Sequence, residues 1–310
     1  MLVFDNFEYS SPSPCVVALG CFDGVHRGHT CVLNIARNKA DELCLPLCVF
    51  AFSEPPRNFF SPASVPLLTS YEEKLELFES LGVDIAVCVP FDEKILSVQA
   101  LNFVNNILID NMKAAHIVCG YNYTFGKNAV GNSEMIQKIC KEKNIGVTVT
   151  PDFVINGASV SSSLIRNIVS DGDMETAALL LGRPYSISEA VVGGQHLARK
   201  LGFPTVNIIP SQGKLTPKNG VYVSRVIFDG QKKYGITNIG MRPTVDTHIM
   251  CAETHIFDFD GDLYGKKITV EFLSFLREET KFPSVEQLAK QVEIDIEAAK
   301  KYIQQISCVL

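Results

Sequence analysis

Five short apolar runs, rich in β-branched residues, recur through the first half of the chain: CVVAL (Cys15–Leu19), LCVFAF (Leu47–Phe52), IAVCV (Ile85–Val89), HIVC (His116–Cys119) and VTVT (Val147–Thr150). Their spacing of roughly 30–40 residues is that of a strand–helix–strand unit. Apolarity is continuous within each run rather than alternating, as in strands covered on both faces. Helical signals fill the gaps. In TSYEEKLELFESLG, Ser70 and Glu73 make a capping box, Tyr71, Leu75 and Phe78 fall on one face, and Gly82 stands where the helix should end. The pattern predicts an α/β domain, a parallel sheet with helices on both sides. A helical pair, Leu164–Val169 and Met174–Leu181, closes this half at Gly182.

After LGRPY the rhythm changes. VYVSRVIF (Val221–Phe228), CAETHIFDF (Cys251–Phe259) and ITVEFLSF (Ile268–Phe275) read as strands, with turns at Asp229–Gly230 and Asp260–Asp262. No long helix separates them until SVEQLAKQVEIDIEAAKKYI, where Ser284 and Gln287 form a capping box. This predicts a small antiparallel β-barrel with one terminal helix. The boundary is expected near 183–187, giving domains 1–184 and 185–310. A chain of 310 residues has room for both.

Composition excludes several function classes. The formal net charge is −6, with no block of like charges, which argues against a nucleic-acid partner. No apolar run approaches the ~20 residues of a membrane span. The N-terminal MLVFDNFEYS has acids and no basic leader, so no secretory signal is expected. The ten cysteines are scattered without a CxxC pair, and read as reduced thiols of a cytoplasmic protein.

The chemistry concentrates first in LGCFDGVHRGHTCVL, Leu19–Leu33. Gly20 ends the first strand, Gly24 and Gly28 allow tight turns or close approach, and a helix is expected to begin near His29. The amides of a helix start attract anions, and imidazole donors beside them could hold phosphate oxygens as charge builds. A sharp turn with two solvated histidines, or a metal site, would use the same residues. The metal reading lacks a third ligand placed by sequence. The position after the first strand of an α/β domain, among three glycines, favours phosphate.

The string GCFDGVHRGH is similar to the HxGH-type signature of nucleotidylyltransferases, and the chain resembles the bacterial bifunctional riboflavin kinase/FAD synthetase family. LLTSYEEK, GYNYTFGKNAVGN, SSSLIR, LLGRPY, LGFPTVN, GVYV, TNIGMRPTV, ETHIFDF and LREETKFPS follow in the family's order, over nearly the whole length. The resemblance implies a Rossmann-like, nucleotidylyltransferase-like FMN adenylyltransferase followed by a riboflavin kinase barrel. It implies an ATP site of Gly20, Phe22, Asp23, Gly24, His26 and His29, with both histidines on the phosphates. Asn122 would help bind phosphate or flavin, and Ser161, Ser162 and Arg166 would hold the triphosphate. Taken alone, SSSLIR reads as a helix cap followed by a surface arginine. The family pattern is broken at three places here. Phe52–Pro56 is FSEPP where FDPHP is frequent, Ser163 replaces threonine, and Asn122 stands where many members have aspartate. A kinase with a weakened adenylyltransferase domain is therefore an alternative, and a noncatalytic flavin sensor is one of another class.

The second half contains no Walker A pattern. KLGFPTVN (Lys200–Asn207) resembles the PTAN motif of riboflavin kinases, with Val206 in place of alanine. Thr205 and Asn207 offer hard oxygen ligands suited to Mg²⁺ beside ATP phosphates. Glu253 is the expected general base for the ribityl hydroxyl. A solvated strand glutamate is its alternative. Arg277 is expected to steady the active-site loops or phosphate, or to make a surface salt bridge. In the nucleotide turn Gly194, Arg199 and Gly202 match the family, whereas Glu189 and Ala198 stand where glycines are common.

Overall fold

The computed structural model describes residues 1–7, 9–60, 64–193, 203–243 and 248–307. The chain divides into two compact units, Met1–Ser162 and Ser163–Leu310.

The first unit contains the strands β1 (Leu2–Phe4), β2 (Cys15–Leu19), β3 (Leu47–Phe52), β4 (Ile85–Val89), β5 (Ala114–Gly120), β6 (Thr124–Phe125), β7 (Gly131–Asn132), β8 (Gly146–Thr150), β9 (Val154–Ile155) and β10 (Ala158–Ser159). β6 pairs with β7 and β9 with β10 in small hairpins. The other six form one sheet in the order β1-β4-β3-β2-β5-β8, every pairing parallel. Successive side chains of a strand point to opposite faces, and β2 shows both faces buried. Cys15, Val17 and Leu19 enter one core with Phe103, Val104 and Leu108 from the helical stretch after Gln99, and with Ile136 and Cys140 of the helix Ser133–Glu142. Val16 and Ala18 enter the other, with Val32, Leu33 and Ala36 of the helix Arg27–Leu43 and Phe78 of the helix Tyr71–Ser80. The result is the expected three-layer α/β arrangement.

The five apolar runs are β2, β3, β4, the centre of β5 and most of β8. Strand order places the chemistry. From β2 the chain adds β3 and β4 on one side, then crosses to add β5 and β8 on the other. Where the order reverses, the loops at the carboxyl ends of β2 and β5 flank a crevice, the usual ligand position of such sheets.

The second unit carries β11 (Tyr185–Ala190), β12 (Thr205–Ile208), β13 (Gly220–Phe228), β14 (Gln231–Pro243), β15 (His248–Ile256) and β16 (Lys267–Arg277). They form an antiparallel sheet, β11-β16-β13-β14-β15-β12. A bridge from Val192, just past β11, to Asn207 of β12 draws the two edges together, as a barrel requires. The terminal helix Val285–Ser307 lays Val292, Ile296, Ala299 and Ile303 on Val221, Val223, Ile236 and Phe257. The helix Met174–Leu181 ends at Gly182, whose φ of 80° suits glycine at a left-handed cap.

Candidate active sites

The first centre sits at the strand-order reversal. The helix after β2 starts at Arg27, two residues before the expected start, because His26 itself is the N-cap. Its Nδ1 accepts the amide hydrogen of His29 at 3.3 Å, which puts the ring proton on Nε2. The amides of Arg27 and Gly28, in the first helical turn, have no intrahelical acceptor. The two imidazoles stack, 3.6 Å between centroids at 17°. Gly28 permits this packing, since a Cβ there would lie 3.1 Å from the His26 ring. His29 Nδ1 is buried with no hydrogen-bond partner. Burial, the His26 imidazole and the charge of Lys74 hold His29 well below its ordinary value, so it is neutral.

The turn feeding this helix is tightly built. Phe22 (φ 53°), Gly24 (φ 81°) and Val25 (φ 38°) take left-handed conformations. Phe22 is fully buried, its ring set edge-on to His29 at 5.1 Å and to Phe78 at 5.5 Å. An added Cβ at Gly20 would strike the Phe22 ring at 2.8 Å. Asp23 is buried too, and its Oδ1 accepts the amides of Leu68 (3.0 Å) and Thr69 (3.3 Å). Phe22 and Asp23 thus brace the turn from within. Ser162 Oγ donates to the carbonyl of Asp23 at 2.9 Å, which brings the start of the helix Ser162–Asp171 to this turn. Ser161 precedes it and is exposed, and Arg166 follows one turn on in the same helix, half-buried. Asn122 is exposed in the turn after β5, on the other side of the crevice. The arrangement gathers helix amides and imidazoles, donors of the kind an anionic phosphate chain demands.

The second centre lies where β12 meets β15. Cross-strand register sets Asn207 opposite Glu253 and Thr205 opposite His255. Thr205 Oγ1 donates to Glu253 Oε1 at 2.7 Å. His255 turns aside, its Nδ1 2.9 Å from the carbonyl of Pro204. Asn207 is buried, and its Oδ1 accepts the weak Cys251 thiol donor at 3.5 Å. A cavity of about 420 Å³ opens beside this pair, lined by Pro204, Thr205, Asn207, Phe259, Asp262 and Tyr264. The donor set fits a hard cation. Thr205 keeps lone pairs after giving its proton to Glu253, and Asn207 contributes an uncharged carbonyl oxygen. Among the described residues no cluster of three or more His, Cys, Asp or Glu could hold a metal by itself. A cation here would need further oxygens, from water or a substrate. Gly194, Arg199 and Gly202 lie outside the described residues.

Arg277 is committed elsewhere. Its guanidinium grips Asp295 through Nε (2.9 Å) and Nη2 (2.7 Å), its Nη1 donates to the carbonyl of Glu278, and it faces the Phe282 ring. It pins the terminal helix to β16. Sequence reasoning gave no role to Lys74, Thr69, Cys251 or Asp295. Lys74 and Thr69 belong to the LLTSYEEK string, and Cys251 immediately precedes the Ala-Glu pair that carries Glu253.

Residues 8–164 match the family model of FAD synthetase, and residues 181–303 that of riboflavin kinase. The bifunctional riboflavin kinase/FMN adenylyltransferase of Pseudomonas fluorescens is 38% identical over 290 residues, covering 92% of each chain. The protein of the same description from Escherichia coli K12 is 34% identical, covering 96% of this chain and 95% of its own. A solved structure described as a macrolide-efflux protein from Streptococcus pneumoniae is 31% identical, with a TM-score of 0.88, covering 96% of this chain and 98% of its own. No helix among the described residues is long and apolar enough to cross a membrane. With a family model on each half and relatives aligned nearly end to end, this chain belongs to the bifunctional riboflavin kinase/FMN adenylyltransferase family.

Proposed function

We propose that the chain makes flavin nucleotides in two steps: riboflavin and ATP give FMN and ADP, then FMN and a second ATP give FAD and pyrophosphate. The observation that carries this is the coexistence in one chain of a histidine turn at a strand-order reversal and a Thr205–Glu253 pair across from Asn207. We assign phosphorylation to residues 185–310 and adenylylation to residues 1–184, a division supported by the two matched spans.

In the kinase step Glu253 takes the proton of the ribityl 5′-hydroxyl as that oxygen attacks the γ-phosphorus and ADP departs. The Thr205 hydrogen bond to Oε1 orients the carboxylate and leaves Oε2 for the substrate. Thr205 and Asn207 would hold Mg²⁺. When bound, it supplies electrostatic stabilisation of the transferring phosphoryl group. In the adenylyl step a phosphate oxygen of FMN attacks the α-phosphorus of ATP and pyrophosphate leaves. That nucleophile is already ionised, so no base is required. His26, His29 and the amides of Arg27 and Gly28 bind the phosphates and meet the charge that builds on the leaving group. Ser161, Ser162 and Arg166 hold the triphosphate, and Asn122 assists from the facing turn.

The substrates are riboflavin, FMN and ATP. A cytoplasmic setting, without nucleic-acid or membrane partners, belongs to the same reading, supported by the net charge of −6 and the free thiols of the described cysteines. Incubation with riboflavin, ATP and Mg²⁺, followed by chromatography, should yield FMN and then FAD. FMN with ATP should yield FAD and pyrophosphate. Riboflavin recovered unchanged would overturn the kinase assignment, and FMN recovered unchanged the adenylyltransferase assignment.

A further inference from the structure

The segment Leu67–Lys74, LLTSYEEK, takes no part in the steps above, yet it is bound to the histidine turn. Asp23 Oδ1 accepts the amides of Leu68 and Thr69, and the amide of Gly24 donates to Thr69 Oγ1 at 3.2 Å. Ser70 and Glu73 then cap the helix Tyr71–Ser80, and that helix buries Lys74, which is 1% exposed. The Lys74 ammonium donates to the carbonyls of Phe52 (2.8 Å) and Ser53 (3.2 Å). Among the described residues no carboxylate pairs with it.

The two carbonyl dipoles accept from the ammonium but bring no formal counter-charge, and a buried cation without an anionic partner is costly. Such a group is expected to have its counter-charge in a ligand. Its position suits one. Phe52 ends β3 and begins the FSEPP string, at the same carboxyl edge of the parallel sheet as the turn after β2. The ammonium's field reaches that turn, since Lys74 and His26 are the charged or titratable groups acting on His29.

We propose that Lys74 is a positioning residue for adenylyl transfer, a buried fixed cation whose missing counter-charge is the phosphate chain bound at the histidine turn. The proposal rests on the adenylyltransferase reading above. Lys74 fixes the backbone of Phe52 and Ser53 where the frequent FDPHP side chains are absent. Its field stabilises negative charge moving onto pyrophosphate, at longer range than in water because the surroundings are of low dielectric. No bond to Lys74 forms or breaks.

The test uses the full chain. FAD formation from FMN and ATP by the wild type first checks the underlying reading. Lys74→Met should then lower kcat for that step by about tenfold or more, with a smaller change in KM for ATP. Lys74→Arg, which keeps the charge, should restore most of the rate. Riboflavin phosphorylation by the other unit should stay unchanged in both. The imidazole titration of His29, followed by NMR, should move upward in Lys74→Met, because a repelling cation is gone. If methionine prevents folding, Lys74→Gln takes its place with the same expectations. A folded Lys74→Met or Lys74→Gln that adenylylates at the wild-type rate overturns the proposal. So does an arginine variant no better than the methionine one.

Discussion

At the scale of single residues, the hydrogen bond between Thr205 and Glu253 makes the kinase assignment sharp. Glu253→Gln keeps the size and one acceptor for Thr205 but removes the base. Riboflavin phosphorylation should fall by about 10²- to 10⁴-fold, the usual worth of general base catalysis, while FMN adenylylation holds. An unchanged rate of FMN formation would exclude Glu253 as the base. His29 gives a second prediction, in stability. Its folded value lies well below the ordinary 6.5 through burial, His26 and Lys74, in that order. Below about pH 6.5 the unfolded chain binds a proton that the native imidazole refuses. The stability from this residue is therefore complete above that pH and is lost as the pH falls, by up to about 1.4 kcal/mol per unit. Denaturant unfolding of wild type at pH 7.5 and 5.5, against His29→Asn, measures it. The variant should lose less on acidification. An equal loss in both proteins would mean that His29 titrates normally.

At the scale of elements, the terminal helix is held by an ion pair as well as by its apolar face. Asp295, nearly inaccessible, accepts hydrogen bonds from Nε and Nη2 of Arg277 and one from Gln291. Asp295→Ala would leave the arginine charge half-buried and alone, costing about 3–5 kcal/mol. Urea unfolding of the second unit should show this, and a loss under 1 kcal/mol would place the helix's hold in its apolar face instead. The Arg277–Asp295 pair also marks what a sequence conceals, because nothing local tells an arginine in FLREE that its partner lies eighteen residues on. Strand positions in the first unit were legible for the opposite reason. A strand buried on both faces is apolar at every residue, so Cys15–Leu19, Leu47–Phe52 and Ile85–Val89 announce themselves to the residue. β1 is a three-residue edge, exposed at Leu2 and Val3, and carries no such signal. β14 went unread because its start, QKKYG, is polar and holds a glycine. The helix start after the histidine turn was legible to within two residues, whereas the burial of Phe22 and Asp23 beside it depends on Phe78, Leu68 and Thr69, far along the chain.

At the scale of the whole molecule, the chain has two separate units and a product of one that is the substrate of the other. The residues proposed for each centre come from its own matched span or from the helix Ser162–Asp171, and on that proposal FMN diffuses from one site to the other. Complementation between inactive proteins tests this. Glu253→Gln should fail to make FMN but still convert added FMN to FAD. A variant with both His26 and His29 replaced by alanine should convert riboflavin only as far as FMN. Neither alone turns riboflavin into FAD, but an equimolar mixture should. FAD should appear after a lag while free FMN accumulates, and the lag should shorten as enzyme concentration rises. If FMN were handed directly between the two centres of one chain, the mixture would make FMN without FAD. Wild type would then show no free FMN in transit. The time course of both flavins, resolved by chromatography from a single mixed reaction, separates these outcomes.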